Sequence, residues 1–159
     1  MELTWDDALR VWRGHLALDG AKEIQLVIPA GDGEPALARS YAEFTLSQLA
    51  PRLSAARRYA ARRLVEYYNY WQAHQPNGQQ VTSQEFADRL RLEGARFRGE
   101  GRACLDFAHD LYPGDPQNAG GLVVVEASAD GRFLQAYWMT EPDAREARQI
   151  RSGSASATP

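Results

Sequence analysis

The chain opens with apolar and polar residues alternating. Between Leu9 and Asp19, Trp12, Leu16 and Leu18 fall on one side with Gly14 in the same register, while Arg13 and His15 point the other way. After Asp19-Gly20, Ile24, Leu26 and Ile28 alternate with Glu23, Gln25 and Val27. Two period-two runs around Asp-Gly predict a β-hairpin with one buried and one wetter side. Leu3 to Trp5 adds a candidate short strand before it, and Pro29-Ala30-Gly31-Asp32-Gly33 stops the second strand.

The period then changes to that of a helix, from about Glu34 to His74 with an interruption near Pro51. Leu37, Tyr41, Phe44 and Gln48 share one face of the first part. In the second part Leu53, Ala56, Ala60, Leu64, Tyr67 and Trp71 step by three or four residues, a continuous apolar stripe. Proline is tolerated in a first helical turn, so the pattern predicts two helices with a bend. Gln75-Pro76-Asn77-Gly78 ends the region. Thr82 followed by Glu85 has capping-box spacing, with Val81 and Phe86 able to staple across it, so a short helix is expected from Ser83 to about Leu90.

Alternation returns in the last third. Leu92 to Arg98 and Arg102 to Ala108 flank Gly99-Glu100-Gly101, and Leu122 to Ser128 and Arg132 to Met139 flank Asp130-Gly131. These read as a second and a third hairpin. Between them, Tyr112 to Gly121 holds too many breakers for regular structure, and Glu141 to Arg151 suits one or two charged helical turns. Strands, then helices, then strands predict an α+β fold: an antiparallel sheet formed by hairpins, with helices from the middle of the chain packed on one face. Residues 1–151 are expected to form a single domain and 152–159 a disordered tail of small residues.

Composition narrows the function classes. At 159 residues, 44% hydrophobic and 25% charged, the chain suits a globular domain rather than a disordered or collagen-like one. It has no apolar run long enough to span a bilayer. The opening Met1-Glu2-Leu3-Thr4-Trp5-Asp6-Asp7 is acidic and unlike a signal peptide, and Cys104 is a single cysteine, so a cytoplasmic setting is expected. The net charge of −3 argues against a general nucleic-acid binder.

The densest polar cluster is Asp106-Phe107-Ala108-His109-Asp110, followed by Tyr112 and Asp115. Carboxylates with a histidine can bind a metal or exchange protons, which gives one reading as a small hydrolase or metal- or ligand-binding protein using Asp106, His109 and Asp110. On a strand, however, Asp106 and Asp110 share a face while His109 points away. A polar strand end entering a turn is the plainer reading. No metal or cofactor motif stands out, and none is expected. A second cluster, Arg52, Arg57, Arg58, Arg62 and Arg63, lies on the second helix, where Arg52, Tyr59, Arg63, Glu66 and Tyr70 follow one side stripe. A solvated helix face competes there with a docking surface. A third candidate is the wet side of the sheet, carrying Arg13, His15, Glu23, Gln25, Asp106 and Glu126.

Three segments carry a resemblance: Leu3-Thr4-Trp5-Asp6 with Trp12-Arg13-Gly14; Leu64-Val65-Glu66-Tyr67-Tyr68-Asn69-Tyr70-Trp71; and Val81-Thr82-Ser83-Gln84-Glu85-Phe86 with Leu90-Arg91-Leu92-Glu93. Their order resembles the bacterial domain-of-unknown-function family 2262 and related immunity-protein-like small α+β domains, over about residues 3 to 139. Such families tend to carry a Gly-His pair before the last long hairpin, where this chain has Gly120-Gly121-Leu122. No role of that histidine carries over. The resemblance implies a non-enzymatic protein-binding module, an immunity or antitoxin-like partner of a toxin encoded by a neighbouring gene. The expected contact residues are Asp106, Asp110, Tyr112 and Asp115, facing a basic toxin cleft.

Overall fold

The computed structural model describes residues 2–18, 22–29, 35–98, 101–111 and 121–152. Seven strands form one sheet in sequence order: β1 (Glu2–Asp6), β2 (Val11–Leu18), β3 (Lys22–Pro29), β4 (Arg91–Arg98), β5 (Arg102–Ala108), β6 (Leu122–Ser128) and β7 (Phe133–Met139). The helices α1 (Pro35–Leu49), α2 (Leu53–Ala73) and α3 (Ser83–Asp88) fall between β3 and β4, and α4 (Glu141–Ser152) follows β7. The fold is α+β, as the pattern predicts, and the sheet is mostly antiparallel.

One pair departs from that expectation. Strands β3 and β4 run parallel, with Gln25 opposite Gly94 and Val27 opposite Arg96. Parallel neighbours need a long crossover, and the three middle helices supply it. A 3-10 turn at Ala50–Arg52 carries Pro51 and separates α1 from α2, which gives the bend expected at that proline.

The two sides of the sheet are lined differently. Leu26, Ile28, Ala95, Phe97, Leu105, Phe107, Val123 and Val125 form the main core with buried residues of α1, α2 and α3. The alternate residues face the other way, because successive side chains on a strand point to opposite sides. There Cys104, Leu122 and Val124 pack with Ala144 of α4, with Tyr137 and Met139 at the margin. Burial on both sides explains why β6 is buried continuously from Leu122 to Ala127.

Two helix faces differ from the sequence reading. Among the described residues of α1 the buried ones are Ala42, Thr45, Leu46 and Leu49, while Leu37 and Phe44 are 67% and 57% exposed. The buried stripe is rotated from the expected one by about a residue: Tyr41 still packs against the core, where it meets Phe97 at 5.9 Å, while Leu37 and Phe44 turn outward. In α2 the stripe begins as predicted at Leu53, Ala56, Ala60 and Leu64, then passes to Tyr68 and Gln72 rather than Tyr67 and Trp71. Helix α3 starts with the expected reciprocal cap: Glu85 N–H donates to Thr82 Oγ1 at 3.2 Å, and Thr82 N–H donates to Glu85 Oε2 at 2.7 Å. Ser152, the first residue of the expected tail, ends α4, and 153–159 lie outside the described residues. Among the described residues no helix is long and apolar enough to cross a membrane.

Candidate functional site

The polar cluster at the end of β5 is split by the strand's own alternation. Asp106 lies on the α4 side and is fully buried. Both its oxygens accept from Arg96, at 2.7 Å from Nε and 2.8 Å from a terminal nitrogen. Burial works against the Arg96 charge, but the hydrogen bonds and charge of Asp106 outweigh it and hold that pKa above its ordinary value. Asp106 therefore builds the sheet and presents no carboxylate to solvent.

His109 sits on the opposite side. Its ring meets Trp138 edge-on at 4.9 Å, and Trp138 in turn meets Phe86 of α3 at 5.7 Å. Its Nδ1 lies 3.0 Å from the Leu111 carbonyl, and Nε2 is buried with no hydrogen-bond partner. Burial pushes the imidazole pKa down, against the opposing pull of the Leu111 hydrogen bond and Asp110. Asp110 is exposed, and Leu111 beside it is buried in the main core. Asp106, His109 and Asp110 thus do not converge on one point. Among the described residues no group of three histidine, cysteine or acidic side chains is placed to hold a metal. Tyr112 and Asp115 lie outside the described residues.

The wet side of the sheet holds a second buried carboxylate. By register Arg13, His15, Gln25, Asp106 and Glu126 do share one side, as the alternation suggests. The side chain of Glu23 lies outside the described residues. Glu126 is 3% exposed, accepts from Gln135, and lies 3.5 Å from Arg102. Cys104 is opposite both Arg96 and Glu126, and burial pushes its thiol pKa up. Helix α4 covers the part of this face around Cys104, Leu122 and Val124, and its Arg148 pairs with Glu93 of β4 at 2.9 Å. The sequence signal for that cover is slight: Ala144 and Ala147, three residues apart, are the small residues α4 buries.

Helix α2 offers the exposed chemistry. Arg52 donates to the Gly131 carbonyl at 3.1 Å, Arg58 to Ser54 Oγ at 2.9 Å, and Arg63 lies over the Tyr59 ring at 5.5 Å. Tyr59 is itself fixed by donating its hydroxyl to the Leu134 carbonyl at 3.0 Å. At the other end of the helix Tyr70 is 62% exposed, meets Trp71 edge-on at 6.0 Å and meets His74 at 4.6 Å with the rings tilted. Tyr67 meets Trp71 edge-on at 6.2 Å. The Tyr67–Trp71 pair, read from the sequence as core, lies outside the core clusters, with Tyr67 exposed and Trp71 half-buried. Asp110 lies close enough to act electrostatically on Tyr68 of the same helix.

No curated protein and no solved structure matches this chain. A family model does match, over residues 1–137, described as an uncharacterized protein conserved in bacteria. The match takes in β1 through most of β7 and stops before α4. The chain belongs to this bacterial family, domain-of-unknown-function family 2262.

Proposed function

We propose that the protein is a non-enzymatic protein-binding module of the cytoplasm, and specifically an immunity- or antitoxin-like protein that occludes a cognate bacterial toxin. The observation that supports this reading is the aromatic end of α2, where Tyr67, Tyr70, Trp71 and His74 hold one another in fixed geometry at the surface. Rigid tyrosine and tryptophan side chains supply contact area at small entropic cost and dominate protein interfaces. Asp110, a carboxylate of the expected contact set, stands exposed near this helix beside the buried Leu111. Tyr112 and Asp115, which follow it in sequence, complete the set of contact residues proposed to fix orientation on a basic toxin cleft.

The test is growth. Each gene beside this one is expressed in a heterologous host with and without the chain. Arrest by a neighbour, relieved by the wild-type chain but not by Tyr67→Ala with Tyr70→Ala, supports the reading. If no neighbour is toxic, or the double variant protects as well as wild type, the reading is wrong.

A further inference from the structure

We infer that the first half of α2 is a docking surface for an acidic protein segment. Among the described residues, Arg13, Arg39, Arg96, Arg102, Arg132, Arg145 and Arg148 each pair with a carboxylate. Arg52, Arg57, Arg58, Arg62 and Arg63 do not; their contacts are a carbonyl, a hydroxyl and a ring, and whereas the other arginines without a carboxylate partner, Arg10, Arg89, Arg91 and Arg98, are dispersed, these five lie within twelve residues. This is an acidic chain, with 21 carboxylates against 18 cations, and yet it leaves its densest cationic run uncompensated.

The arrangement opposes the helix that carries it. The N-terminal end of a helix has a positive dipole end that favours acidic side chains. In α2 the first turn holds no acidic residue, and Arg52, Arg57 and Arg58 stand at that end instead. Arg58 and Arg62, one turn apart, also repel each other. A local rule broken without compensation inside the fold marks a place where compensation comes from outside.

The occupant that fits is a protein carrying carboxylates. Guanidinium groups bind carboxylates in a planar two-point fork, and Tyr59, anchored to β7 and covered by Arg63, gives the patch an apolar footing. A nucleic acid carries the same sign of charge but extends far beyond the patch, where the chain's net −3 repels it. The surface is separate from the aromatic end of α2, and its test does not depend on the toxin reading.

The probes are a fluorescein-labelled glutamate-rich dodecapeptide and a single-stranded RNA of equal charge, each titrated by anisotropy at low salt. The expected result is salt-sensitive peptide binding that exceeds RNA binding and weakens about tenfold or more in Arg58→Glu with Arg62→Glu. A second variant, Arg58→Gln with Arg62→Gln, removes both charges, relieves the repulsion and the dipole conflict, and should melt no lower than wild type while also losing peptide affinity, so loss of binding is not loss of fold. Peptide binding unaffected by the double variant, binding to neither probe, or tighter binding to RNA each overturns the inference.

Discussion

Replacing Asp106 with Asn tests the buried frame of the sheet. The Asp106 side chain is fully buried, and that of Arg96 is 16% exposed. Removing one partner strands the other charge, which costs about 3–5 kcal/mol in a buried pair. The residual exposure of Arg96 lets water repay part of that, so the lower end applies, about 3 kcal/mol. For a chain of 159 residues, roughly 2–4 °C of melting temperature per kcal/mol makes this about 6–12 °C. Urea denaturation followed by tryptophan fluorescence reads the change, and an unchanged m-value confirms that the midpoint shift reflects stability. Arg96→Met with Asp106→Leu removes both charges and should recover most of the loss, since a buried ion pair can be exchanged for apolar residues at little net cost. A loss below about 0.5 kcal/mol for Asp106→Asn, within the range of ordinary surface substitutions, refutes the reasoning.

Three further outcomes follow from the same structure. Thr82→Ala removes one half of the reciprocal cap on α3 and should cost about 1 kcal/mol by the same denaturation assay. Cys104 should resist a thiol reagent under native conditions, and Ala144→Arg, whose long cationic side chain cannot pack against Cys104 and favours the thiolate, should speed labelling severalfold. His109 has a folded-state pKa below its ordinary 6.5, so the unfolded chain takes up the proton more readily. Its contribution is present above that value and is lost as pH falls from about 6.5 through the depressed folded value. The groups setting that shift are Leu111 and Asp110, which raise the value, and Arg148 and Arg91, which lower it with burial. His109→Phe keeps the edge contact with Trp138 and should flatten the pH dependence of the melting temperature between pH 7 and the onset of carboxylate titration; an unchanged slope sinks this assignment.

Local signals made much of this fold legible. Strand segments followed from alternation, and the α3 cap from two residues at fixed spacing, because both depend on neighbours in sequence. The parallel joining of β3 to β4 did not, since nothing within either strand records which distant strand it will meet. The face of α1 was misread for a related reason: Leu37 and Phe44 at helical spacing compete with Leu46 and Leu49 one residue away, and only the packed core decides between two neighbouring stripes. Asp106 and Glu126 looked solvated because polar residues on an alternating strand usually are, and what lets them be buried, Arg96 on β4 for Asp106 and Gln135 on β7 for Glu126, lies on neighbouring strands. The arginines of α2 were visible from the start. Their lack of carboxylate partners was not, because pairing is settled by the whole surface.

The parallel join between β3 and β4 also sets the order in which the molecule assembles. Strands β4 to β7 each pair with their immediate successor, as do β1 to β3, so the two groups form from contacts close in sequence. Bringing them together requires closing residues 30–90, and the entropy of that closure is spent before the parallel contacts repay it. The union of the two strand groups is then the slow step of folding. A substitution at Leu26 or Ala95, which face each other across the join, should slow refolding, whereas one within the β6–β7 pair should chiefly speed unfolding.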